Sequence, residues 1–175
     1  MAEAKPQGVY YRTEDYAGVG RRLLIDFIDF PVVLLLSFAA LDAAARVESG
    51  GLALLLLVAI WFGYFVLLKR SRFGTLGYRI MGARIVSLRG ERPGIASLVA
   101  RLIFVIGGPL NFVFDALWMP GDRNRQALRD KFAGTYVIRK QASPAGTGAI
   151  AHRVYMFSGM TFIFREVKRE AERAG

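Results

Sequence analysis

An apolar run that holds two carboxylates constrains this chain more than any other feature. Arg21 and Arg22 lead directly into Leu23-Leu24-Ile25-Asp26-Phe27-Ile28-Asp29-Phe30, and the run continues past Pro31 and Phe38 to Ala45. Its apolar part, about 23 residues over 23–45, is long enough as a helix to cross a bilayer. A carboxylate at full depth costs roughly 2.5–3.5 kcal/mol on insertion scales and less near the interface. Asp26 and Asp29 therefore need partners, or water. Helical periodicity puts Arg22, Asp26 and Asp29 on one stripe. Arg22 and Asp26 form an i,i+4 pair within salt-bridge reach. Asp29 lies two turns from Arg22, about 10.5 Å by helical rise, and needs a partner from another segment.

The composition agrees with a membrane setting. Hydrophobic residues make up 54% of the 175, mean hydropathy is +0.33, and the apolar residues come in long blocks. The net charge of +10 would suggest nucleic acid in a soluble protein. Here the basic residues flank the apolar blocks, so positive-inside topology and anionic lipid at the cytoplasmic face explain them, with no nucleic acid as partner. There is no cysteine, which excludes disulfides and thiolate metal sites. Arg21-Arg22 and Ala43-Ala44-Ala45 have the look of a cleaved leader. The two carboxylates and the second apolar block argue against cleavage.

In chain order, residues 1–20 read as a cytoplasmic N-terminal tail, its tyrosines either at headgroup level or on an ordinary surface tail. Pro31 is expected to kink the first span and free the Phe27 carbonyl, or only to set a packing angle. A second uncharged span follows over 52–68, making a hairpin with both ends basic and inside. Residues 73–82 read as a short interfacial helix, and 83–88 as a strand. The third apolar block, 95–119, is broken by Gly107-Gly108-Pro109 and holds Arg101, Asn111 and Asp115. Basic residues follow it, which favours two half-helices that dip in and return; a full third span is the alternative. A strand around 134–138 is expected to pair with 84–88 in a small cytoplasmic sheet. After a linker at 141–149, residues 150–175 read as a β-hairpin and a charged tail.

The fold class expected is thus a membrane all-α core, a two-span helical hairpin plus a broken third membrane helix, with a small β-sheet. Ionisable residues inside spans are functional candidates by default, here Arg22, Asp26, Asp29, Arg101 and Asp115. A buried carboxylate with partial water access can exchange a proton for a cation. The same residues can equally form a structural ion-pair network that locks helix packing. Asp26 is expected to take Arg22. Asp29 is then expected to face protein within reach of Arg22, Arg101 or a polar group of the third block, such as Asn111. Enzyme readings are weaker. His152 is the only histidine and has no triad partner nearby in sequence, and no phosphate loop is present. No enzyme activity, cofactor or metal is expected.

Three ordered segments resemble the RDD family of small bacterial membrane proteins. Ala17-Gly18 with Arg21-Arg22 and Asp29 resembles its opening, an arginine seven residues before an intramembrane aspartate. Thr75-Leu76-Gly77-Tyr78 through Val86 resembles its central threonine-proline-glycine-lysine segment, with Leu76 and Tyr78 at the usual proline and lysine. Arg125 through Thr135 resembles its closing segment, whose aspartate would be Asp130, and brings Asp130 into the candidate set. The resemblance implies an RDD-like membrane domain over 21–140 in a multi-pass protein of the bacterial inner membrane. Transport, including monovalent cation–proton exchange for some members, has been suggested for that family; the resemblance carries a fold and a site, not a substrate. With so few spans, a transporter of this size would act as a homo-oligomer or with a partner membrane protein. The other reading is a non-transporting adaptor or assembly protein presenting a basic cytoplasmic face.

Overall fold

The computed structural model describes residues 7–108, 110–157 and 159–169. Its longest element is α1, Val19–Arg46, one helix of 28 residues that continues through Pro31. The buried residues of α1 are Arg22, Ile25, Asp29, Val33, Ser37, Ala40 and Ala44. They recur every three or four positions and so make one inward stripe, with both ionisable members at the helix's N-terminal end. Phe27 and Leu35 on the other side are 75% and 70% exposed, as lipid-facing side chains would be.

Ser49 caps the next helix, α2, Gly50–Phe62, by accepting the Leu52 N–H at 3.3 Å. A π-helical segment, Gly63–Leu68, carries it on. α1 and the run Gly50–Leu68 are both long and apolar enough to cross a membrane. Trp61 donates to Ser37 at 3.2 Å and ties the pair together. The short helix α3, Leu76–Ile80, packs on α1 and leads into β2, Ala83–Ser87.

The third apolar block is two helices, α4, Ile95–Ile106, and α5, Leu110–Trp118, bent by 116° where the Gly-Gly-Pro break was expected. Gly108 takes φ +110°, which only glycine adopts easily. Asn111 donates across the break to the Phe104 carbonyl at 2.6 Å. α6, Leu128–Ala133, follows and ends at Gly134, with φ +61°. β3, Thr135–Arg139, then pairs antiparallel with β2, Ala83 opposite Arg139 and Ser87 opposite Thr135. That is the pairing read from the sequence.

Two expectations about the ends need correction. Residues 7–20 are not a loose tail. β1, Gln7–Tyr10, is an edge strand of a second sheet ordered β1-β4-β5, where β4 is Gly146–Phe157 and β5 is Met160–Val167. Tyr11 and Tyr16 do not face headgroups. They pack edge-on to each other and to Tyr136 of β3, with ring centroids 5.4–6.3 Å apart. The linker expected over 141–149 is also shorter, because β4 begins at Gly146. The glycines that looked like linker allow close packing instead: a Cβ on Gly146 would sit 2.4 Å from the Tyr10 hydroxyl. The hairpin expected at 150–164 is present as β4 and β5, and the tail beyond 169 lies outside the described residues.

Candidate functional site

The inward stripe of α1 delivers Asp29 to the place where α1, the π segment and the start of α3 meet. The carboxylate is 1% exposed and accepts three hydrogen bonds. Tyr64 donates its hydroxyl to Oδ1 at 2.8 Å, Thr75 donates its hydroxyl to Oδ2 at 2.5 Å, and the Gly77 N–H reaches Oδ1 at 2.7 Å. Tyr64 also accepts the Leu76 N–H at 3.3 Å. Asp29 faces protein as expected, but its partners come from the second apolar helix and the start of α3. Neither Arg22, Arg101 nor Asn111 is among those donors. All three donors are neutral. Thr75 and Gly77, the positions that keep the threonine-x-glycine pattern, touch the aspartate; Tyr78, at the usual lysine, turns to Arg101 instead.

The arginines go elsewhere. Arg22 and Arg101 both pair with Asp130, which is fully buried in the first turn of α6 and also accepts the Ala127 N–H at 3.2 Å. Arg22 further donates to the Ala17 and Arg125 carbonyls at 3.0 and 2.9 Å. Arg101 donates to the hydroxyls of Thr135 at 3.0 Å and Tyr78 at 3.4 Å. The expected Arg22–Asp26 pair is therefore not made. Asp26 takes Arg129 of α6 at 2.7 Å, and Arg129 reaches Asp115 of α5 at 2.9 Å. Asp115 also accepts the Arg129 N–H at 3.1 Å. Three arginines thus face three aspartates and join α1, α4, α5 and α6. The void beside them, lined by Arg22, Asp26, Asp115 and Arg129, measures about 10 Å³, room for at most one water.

Arg129, Tyr64, Thr75 and Gly77 complete this set and were not among the site residues expected from the sequence, although Thr75 and Gly77 stand in a segment that resembles the family's. Charge balance points to Arg129, since three buried aspartates need a third cation. Tyr64 carries no such signal, because its orientation depends on the π segment.

Lys69 stands just beyond the second apolar helix, with its ammonium 4.8 Å from the Phe65 ring centroid and 5.2 Å from that of Tyr78. Burial among those rings, then the nearby charges of Arg101 and Arg129, push it down to about 7, against the pull of Asp26 and Asp29. A base that titrates near neutrality therefore lies in the field of Asp29.

A second polar cluster holds the β4–β5 hairpin to this core. Lys131 of α6, fully buried, pairs with Asp122 and with Glu166 of β5, and Tyr155 donates its hydroxyl to Glu166. Among the described residues there is no cluster of three histidine, cysteine or acidic side chains that would hold a metal.

No curated protein and no solved structure matches the chain. The family model described as RDD family matches residues 16–134. That range runs from the Tyr16 bridge to the end of α6 and contains Asp29 and its three donors. It also holds all four arginine–aspartate pairings described above, whereas β1, β3, β4 and β5 lie outside it. With its two membrane-length apolar helices, this chain is a membrane protein, and it belongs to the RDD family.

Proposed function

We propose that Asp29 is the working group of a small membrane transporter that exchanges a monovalent cation for a proton. The observation behind this is the charge count. After three arginines have met three aspartates, Asp29 remains as a buried carboxylate held only by neutral donors. Its two oxygens and the hydroxyls of Tyr64 and Thr75 make a set of hard oxygen ligands suited to a hard cation or a proton. If the hydroxyls turn their protons away, the same four oxygens can receive a cation. Lys69, titrating near neutrality in the same field, offers a place for the exchanged proton.

Exposed leucines and valines run along α2, with Leu54, Leu55 and Val58 each more than half exposed. Two such helices and one bent pair do not enclose a path alone, so a second copy or a partner membrane protein completes it. In this reading the N-terminus lies on the cytoplasmic side of a bacterial inner membrane, and the basic segments at both ends of the helical hairpin support that orientation. Cysteine labelling at Glu14, Glu48 and Gly121 tests that orientation; external labelling of position 14 contradicts it. Cation-driven proton flux in proteoliposomes, wild type against Asp29→Asn, tests the exchange.

The second reading is a membrane adaptor. The observation that favours it is the tightness of the arginine–aspartate network, which closes on a void of about 10 Å³ and acts as a clamp. An adaptor would have no cation- or pH-dependent property that depends on Asp29.

A further inference from the structure

A cleft that shares Lys69 with the surroundings of Asp29 lies between the end of the second apolar helix, α3, β2 and the residues just after β3. Its volume is about 310 Å³, the space of about ten waters. Seven basic side chains line it: Lys69, Arg70, Arg72, Arg79, Arg84, Arg92 and Lys140. No aspartate or glutamate is among its lining residues. Where chains run basic residues together on a solvated face, acids usually alternate with them and balance the charge. Here the fold does the opposite, because these cations come from five separate stretches of chain. Two of the arginines are fixed by the backbone: Arg84 donates to the Ala142 carbonyl at 2.8 Å and Arg70 to the Pro93 carbonyl at 3.3 Å. Arg72 lies over the Phe73 ring. Six of these, Arg70, Arg72, Arg79, Arg84, Arg92 and Lys140, put like charge on one concave wall beside the titrating Lys69, and an anion in the space would relieve their repulsion.

We propose that this cleft is a phosphate site that holds the headgroup of an anionic phospholipid. Guanidinium forks match phosphate oxygens. The cleft opens within a few residues of Leu68, where the second apolar helix ends, and this places it at headgroup depth beside a membrane. The exposed apolar side chains of Phe73, Leu76 and Ile80 flank it and suit the acyl side of the same interface. A headgroup with two phosphates uses more of these charges than one with a single phosphate. Bound there, a lipid would brace the loop that carries Thr75 and Gly77. The cleft shares Lys69 with the proposed exchange at Asp29, but the lipid site rests on its other basic residues and does not need that exchange.

The test is native mass spectrometry and lipid titration of the detergent-solubilised full chain. The probes are cardiolipin, phosphatidylglycerol and phosphatidylcholine, with inorganic pyrophosphate as soluble competitor. The variant is Arg79→Gln/Arg92→Gln/Lys140→Gln, three exposed positions in the cleft. The control removes the same charge elsewhere, as Arg12→Gln/Arg165→Gln/Lys168→Gln. We expect cardiolipin to bind more tightly than phosphatidylglycerol, and phosphatidylcholine not to bind at the site. The cleft variant should bind cardiolipin about 100-fold more weakly, and the control should bind like wild type. Equal weakening in the control, or unchanged binding in the cleft variant, overturns the site. Displacement of cardiolipin by pyrophosphate at equimolar levels overturns the lipid as its occupant and assigns the cleft to a soluble phosphate compound. Because the readout is lipid binding, its failure leaves flux through Asp29 a separate question.

Discussion

Gly77 donates its backbone N–H to the Asp29 carboxylate at 2.7 Å while lying so close to α1 that a Cβ at position 77 would sit 2.5 Å from the Ile25 carbonyl. The aspartate and the absence of a side chain at Gly77 are parts of one arrangement. The loop can bring donors to a buried carboxylate only because nothing at position 77 holds it away.

Gly77→Ala is therefore expected to push α3 off α1 and weaken the donors to Asp29. A Cβ would also meet Asp29 Oδ1 at 3.0 Å. Overpacking of this kind costs about 1–3 kcal/mol, read as a lower unfolding temperature in detergent. Gly20, in the first turn of α1, makes the contrast, because a Cβ added there would have nothing within 4 Å. Gly20→Ala should stabilise, by about 0.5–1 kcal/mol.

Asp130→Asn should be among the most damaging single changes in the chain. It leaves Arg22 and Arg101 buried against a neutral group, and breaking one side of a buried ion pair costs about 3–5 kcal/mol. Asp42→Asn, which removes an exposed i,i+4 pair with Arg46, should change stability by less than about 1 kcal/mol. Thermal unfolding of both variants in one detergent decides the ranking.

Lys131→Met should act on the β4–β5 hairpin. Asp122 and Glu166 would then face each other without the ammonium between them. Hydrogen exchange over 150–167 is expected to quicken, while α1 and α2 keep their protection. Uniform protection across both regions would mean the lysine does not hold the hairpin.

Lys69 gives the stability a pH dependence with a definite sign. Its value is pushed from 10.5 down to about 7 in the folded chain, so between those pH values the unfolded chain binds more protons. The lysine's contribution to stability is present above 10.5 and is lost as pH falls toward 7. Wild type should gain in unfolding temperature, relative to Lys69→Met, as pH rises through that window. A difference that shrinks with rising pH would contradict the assignment.

Much of the frame was legible because it follows from local rules. Apolar length gave α1 and α2, glycines and a proline gave the break between α4 and α5, and β-branched runs gave the β2–β3 pairing. The depth of Asp29 in an apolar helix predicted that it would face protein. The partners were not legible, because i,i+4 spacing favours a local pair. Arg22 instead reaches an aspartate 108 residues later, where α6 holds a carboxylate in its first turn. Tyr64 reaches Asp29 by way of the π segment, whose only mark in the sequence is Gly63. β1 escaped notice because four residues near an end carry no period long enough to read.

Cation-driven proton flux, measured in proteoliposomes with wild type and Asp29→Asn side by side, tests the central claim most directly. Asn can keep its oxygen where Oδ1 accepts from Tyr64 and Gly77, and its amide N–H can donate to the Thr75 hydroxyl, which turns to accept; the variant should therefore still fold, and its unfolding temperature checks this. Under the proposed exchange, a monovalent cation gradient drives proton movement in wild type, and the folded variant shows only the rate of empty liposomes. Equal flux in the two proteins, or no flux above empty liposomes in wild type, would contradict it.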